Sequence, residues 1–173
     1  MPDKHVVAKN QANWDNYSAA YLRFKHSEKI IHAIVQDPSW AFEAETWKQL
    51  RRLFPDLRGK RVCVPSSGDQ YAVIAFALLG ADVTSCDISQ QQLDAGQQLA
   101  RGLGLEISCV QADTMELSPL PDGVFDLVYT SNGVHVWLND LPAMYRNVQR
   151  ILKPGGVYIM CDIHPFQRPF GEK

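Results

Sequence analysis

At 173 residues, with 46% apolar and 21% charged side chains, the chain has the size and composition of one globular domain, which excludes a disordered segment and a large modular enzyme. The 17 basic and 19 acidic side chains leave a formal charge of −2, so no global positive field draws nucleic acid or anionic lipid. Four cysteines with no C-x-x-C pair and no nearby His at zinc-finger spacing read as buried thiols in a reducing compartment. The first residues lack the apolar core of a signal peptide and the longest apolar run, 72–80, is too short to span a bilayer, so a cytoplasmic protein is expected.

In chain order, Trp14, Tyr17, Ala20, Tyr21 and Phe24 recur at spacings of three and four and share one helix face. Ser27 can cap a second short helix over 28–35, which Asp37-Pro38 ends. Trp40, Phe42, Trp47, Leu50, Leu53 and Phe54 predict a third helix from Ser39 to Pro55, so residues 1–57 form a helical prelude. From residue 58 the period changes. Buried strands are predicted at 61–65, 81–87, 105–110, 124–130 and 156–163, and helices at 71–79, 89–103 and 141–152. Ser89 with Gln92 reads as a capping box, and Pro142 sits in a helix first turn.

Strands alternating with helices predict an α/β fold: a Rossmann-like, doubly wound, mostly parallel sheet in residues 58–173, behind the prelude. Ligands then sit beyond the carboxyl ends of the strands, where strand order reverses. The first such end is the turn Pro65-Ser66-Ser67-Gly68-Asp69-Gln70, where Gly68 lets a ligand approach the backbone. At the second, Asp87 followed by Ile88 stands where a carboxylate accepts hydrogen bonds from a ribose diol. Asp113 can accept from an adenine amino group, and the Thr114 N–H can meet a ring nitrogen. Ser131 closes the fourth strand.

With Leu-Pro-Asp-Gly-Val-Phe-Asp-Leu-Val at 120–128 and Leu-Lys-Pro-Gly-Gly at 152–156, the segment from Arg61 to Ile163 resembles the class I S-adenosylmethionine-dependent methyltransferases, in their small-molecule branch. The resemblance implies S-adenosyl-L-methionine as cofactor, with the glycine turn under its methionine and ribose, Asp87 on the ribose and Asp113 on adenine. It also implies that the prelude, through Tyr17 and Tyr21, closes over the methionine end. The family turn usually reads Asp-x-Gly-x-Gly-x-Gly, whereas Val64, Ser66 and Gln70 replace the acid and two glycines here. A retained site with altered contacts is therefore expected.

If the acceptor is a hydroxyl or amine, His135 is the nearest candidate base and His164 the second. Aromatic residues of the prelude, with Trp137 and residues 164–166, predict a small, partly apolar acceptor and no nucleic-acid or membrane partner. Two alternatives stand beside this reading: a noncatalytic S-adenosylmethionine-binding or sensing module, and a nicotinamide-dependent oxidoreductase. Asp69 weighs against the latter, because a carboxylate at that helix start repels a pyrophosphate. The family sheet has seven strands, and only ten residues follow the fifth here, so the sheet is expected to stop there. An uncovered apolar edge on the fifth strand then predicts self-association.

Overall fold

The structure is a computed structural model describing residues 1–131 and 133–162. Helix α1 (Lys4–Lys25) starts where the Asp3 side chain accepts from the His5 and Val6 N–H groups. It is followed by α2 (Glu28–Gln36), a 3-10 turn at Pro38–Ala41 and α3 (Ala44–Leu53). The third predicted helix is thus split. The Asp37 carboxylate accepts from Ser39 N–H and closes a separate turn, and extended backbone at Phe42 and Glu43 delays the helix. Ser27 stands at the start of α2, but its side chain makes no capping bond.

Strands β1 (Arg61–Pro65), β2 (Asp82–Asp87), β3 (Ser108–Gln111), β4 (Phe125–Ser131) and β5 (Leu152–Cys161) pair in parallel in the order β3-β2-β1-β4-β5. Helices α4 (Tyr71–Leu78), α5 (Gln90–Gly102) and α6 (Leu141–Ile151) make the crossovers together with the loop between β3 and β4. Two strand starts differ from expectation by more than one residue. β3 begins at Ser108, because Leu105 N–H is committed to Ala100 O in the end of α5. β5 begins at Leu152, since Phe125 registers against Leu152 before a shift in the ladder, so the Lys-Pro-Gly-Gly turn lies inside the strand.

Alternation along the strands loads both faces of the sheet. Val62, Val64, Leu127 and Tyr129 pack with Leu50, Phe54, Leu57 and Phe76, while Cys63, Phe125 and Val128 pack with Met144, Val148 and Ile151. Ile34 of α2 joins Ile74, Ala75 and Ala100 in a further cluster. Most of the prelude therefore shares the core of the sheet, and α1 is the exception. Its buried residues are Ser18 and Leu22 alone, and polar contacts fasten it beside Val7, which packs on the core, and Trp14, which meets Trp137. Asn10 donates to Trp137 O (2.9 Å), Ser18 and Ser89 hydroxyls meet at 3.5 Å, and Tyr71 Oη donates to Lys25 O (2.7 Å). No helix among the described residues is long and apolar enough to cross a membrane.

Candidate active site

The strand order reverses between β1 and β4, and the crevice beyond their carboxyl ends is where the sequence directs attention. The turn after β1 is left-handed at three positions, of which only Gly68 is a glycine. Ser66, Gly68 and Gln70 alternate at φ 51°, 48° and 65°, all in the left-handed region. For Ser and Gln this costs about 1–2 kcal/mol each. At Gln70 the cost is offset by a buried network in which the amide nitrogen donates to Ser67 Oγ (2.9 Å) and the amide oxygen accepts from Ser85 Oγ (3.0 Å). Gly96 on α5 makes room, since a Cβ there would lie 2.6 Å from the Gln70 amide.

Asp87 is buried at the end of β2, accepting from Gly68 N–H (3.2 Å) and Ser89 N–H (3.0 Å). Burial pushes its carboxyl above the usual range, against those backbone bonds, and Asp15 of α1 adds like charge. Asp15 is itself held by the Ser89 hydroxyl, which also caps α5 by accepting from Gln92 N–H. The reciprocal half of the expected capping box is missing. Both polar atoms of the buried Gln92 side chain lack a partner among the described residues. Beyond β3, Asp113 Oδ1 accepts from Met115 N–H (2.8 Å), while Oδ2 is buried with no partner among the described residues. Burial also raises this carboxyl, with Glu116 adding like charge.

Ser66, Asp87, Ile88, Asp113, Thr114 and Ser131 come together on the wall of one cavity. Gly68 stands behind them as the donor to Asp87, and Pro65 ends β1 under the turn. Tyr17 is 57% exposed and packs edge-on to Trp14, so α1 presents a different ring to the cavity from the one expected. Tyr21 is half-buried and lines a neighbouring pocket with Asp69. Trp14 closes the cavity instead, meeting Trp137 edge to face with centroids 5.3 Å apart. Val7, Asn10, Met115 and Val134 also line it. Sequence reasoning missed them: Val7 and Asn10 precede the aromatic stripe, and only the docking of α1 over the sheet edge brings them in. The cavity holds about 100 Å³, below the roughly 300 Å³ at which small-molecule sites begin.

His135, in the 3-10 turn Val134–Trp137, does not line this cavity. Its Nδ1 pairs with Asp162 Oδ2, and its Nε2 lies 3.4 Å from the Tyr145 hydroxyl. The second candidate, His164, lies outside the described residues, as do residues 165 and 166.

The methyltransferase domain family matches residues 65–160, from the turn under Ser66 to the end of β5. The chain belongs to that family. It is 31% identical to the uncharacterized methyltransferase YbaJ of Bacillus subtilis over 163 residues, 92% of this chain and 63% of that protein. To the sterol 24-C-methyltransferase ERG6B of Gibberella zeae it is 35% identical over 151 residues, 83% of this chain and 37% of that one. Among solved structures, an S-adenosylmethionine dependent methyltransferase from Mesorhizobium loti superposes with a TM-score of 0.57 at 31% identity, covering 70% of this chain and 54% of that chain. The chain thus spans less than two thirds of the length of each of these relatives.

The residues present fit the nucleoside of S-adenosylmethionine. A buried acceptor without a donor at Asp113 Oδ2 is the complement of an adenine amino group, and Asp87 keeps unused lone pairs for ribose hydroxyls. In this methyltransferase domain the altered turn holds Ser66 and Gln70 in the left-handed conformation that glycine adopts most readily.

Proposed function

We propose that the protein is an S-adenosylmethionine-dependent methyltransferase acting on a small, partly apolar acceptor by in-line transfer. The observation that carries this reading is the buried, partnerless Asp113 Oδ2 on the same cavity wall as Asp87, at the reversal of strand order. When bound, S-adenosylmethionine supplies a methyl on a sulfonium whose departure leaves a neutral thioether, so alignment and exclusion of water contribute most of the acceleration. Asp87 holds the ribose, Asp113 holds adenine, and the Trp14–Trp137 contact keeps water out. His135, oriented by Asp162, is the candidate proton acceptor for an acceptor molecule arriving on the β5 side.

Isothermal titration calorimetry with S-adenosylmethionine, S-adenosylhomocysteine and NAD tests the reading. Binding of the first two and not the third is expected, and Asp87→Ala loses charge-assisted hydrogen bonds of about 1.5–3 kcal/mol, a tenfold to hundredfold loss in affinity. Asp113→Ala weakens binding less, since adenine keeps backbone and stacking partners. Unchanged affinity in Asp87→Ala would remove the ribose from that site.

A further inference from the structure

Beside the cavity, at the same carboxyl edge of the sheet, lies a second pocket of about 430 Å³ between the end of α1, the 3-10 turn at Pro38–Ala41, the turn after β1 and the ends of β4 and β5. The two spaces share their walls in sequence: α1 lends Trp14 to the first and Tyr21 and Lys25 to the second, and one turn lends Ser66 and then Asp69. The second pocket combines aromatic rings with two carboxylates, Asp69 and Glu43, and, among the described residues that line it, a single cation, Lys25.

Asp69 is 7% exposed. Its Oδ1 accepts from Tyr71 N–H (3.2 Å), while Oδ2 has, among the described residues, only Lys25 Nζ at 3.9 Å, beyond hydrogen-bond range. The same ammonium stands 5.7 Å from the ring centroids of both Tyr21 and Tyr71. An ammonium set between two ring faces and a buried carboxylate is the arrangement by which proteins recognise cationic nitrogen. Here the protein's own side chain occupies it loosely, from a flexible stem in the last turn of α1 that is 31% exposed.

We propose that this pocket is a receptor for the ammonium group of a small amine carrying an apolar substituent, which takes the place held by Lys25. That the amine is also the methyl acceptor rests on the methyltransferase reading above. Burial holds the Asp69 carboxyl above its usual range, with the Tyr71 N–H first and then the charges of Lys25 and His26 pulling it only part of the way back, so a closer cation has unused attraction to gain. Tyr71 is likewise pushed up to about 12, by burial and then by the Asp69 charge, and stays a neutral ring at physiological pH.

The test compares 2-phenylethylamine with its near-isosteric alcohol, 2-phenylethanol, by calorimetry on the full chain. The amine is expected to bind at least tenfold more tightly than the alcohol, Asp69→Asn to erase that difference, and Lys25→Met to tighten the amine several-fold. Equal binding of amine and alcohol, an undiminished preference in a folded Asp69→Asn, or weaker amine binding in Lys25→Met would overturn the proposal. S-adenosylhomocysteine titrated into the unmodified protein separates the two readings. If it binds and the amine shows no preference, the receptor alone falls; if the amine binds and S-adenosylhomocysteine does not, the receptor stands and its role as acceptor site falls.

Discussion

The Ser66 and Thr114 hydroxyls lie 2.8 Å apart, so a hydrogen bond ties the turn after β1 to the loop after β3 on the wall of the cavity that also carries Asp87 and Asp113. The space there is about 100 Å³, less than a nucleoside needs, so a nucleoside that enters between these two segments has to part them, and this bond then opposes its entry.

Replacing Thr114 by Val keeps shape and removes the bond. Stability is expected to fall by about 1 kcal/mol, and affinity for S-adenosylhomocysteine to rise by up to about fivefold as the same energy stops opposing opening. Thermal melts and calorimetry on one preparation check the opposite signs. A fall in both would mean that the hydroxyl serves the ligand instead.

Asp113 carries a pH prediction. Its folded-state carboxyl is raised by burial, so the folded chain holds that proton more tightly than the unfolded chain. Its contribution to stability is therefore lost as pH rises from the unfolded value, near 4, through the folded one. Asp113→Asn removes the buried charge, so the variant is expected to melt above the parent at pH 7 and with it near pH 4. Its cofactor affinity should nevertheless be lower. Melting curves across pH 4–8 decide this, and a variant that melts lower at pH 7 would refute the buried-charge argument.

The turn can be probed through Gln70 and Gly96. Gly96→Ala forces a Cβ to 2.6 Å from the Gln70 amide, a misfit expected to cost about 1–3 kcal/mol. Gln70→Gly relieves the left-handed strain but deletes the bonds to Ser67 and Ser85, with net destabilisation. If the two side positions are coupled as described, the double variant is more stable than the sum of the single losses, as denaturant titration of the four-protein cycle can show.

Helix α1 buries two residues, while α2 and α3 lie in the core. Deleting residues 1–26 is accordingly expected to shift the melting temperature by only a few degrees and to reduce S-adenosylhomocysteine affinity tenfold or more, since Trp14 leaves the cavity. A truncated chain that does not fold would place α1 in the core.

Among the described residues β5 pairs with β4 alone, Met160 on it is 48% exposed, and 157–161 contain no Lys or Pro. We propose self-association through this edge. Light scattering should show mass rising with concentration, together with amide exchange across 157–161 that slows as association proceeds; a monomer whose exchange there is slow at every concentration would count against it.

The fold was written in local signals. Apolar runs bounded by Gly, Pro and Asp placed β1, β2, β4, α4 and α6 to within a residue or so, because strands buried on both faces and an all-apolar helix leave few other readings. The acids at the ends of β2 and β3 followed from that order, since strand ends converge wherever a parallel sheet reverses. Residue type alone left the turn's contacts open: Ser66 and Gln70 stand where the resemblance has glycines, and only the packing of Gln70 against Gly96, Ser67 and Ser85 shows how its left-handed φ is held. The side-chain partners of His135 and Lys25 were likewise illegible. Asp162 lies 27 residues from His135, and Asp69 lies 44 from Lys25, on elements that meet only when the sheet closes. The sequence by itself determined the order of strands and helices and the acids at their ends, through periodicity and turn chemistry that act over a few residues. The tertiary structure decided which rings of α1 face the cavity, which cation meets Asp69 and how tightly the site is shut, because each depends on how α1 docks across the sheet edge, and that docking rests on polar contacts far apart in the chain.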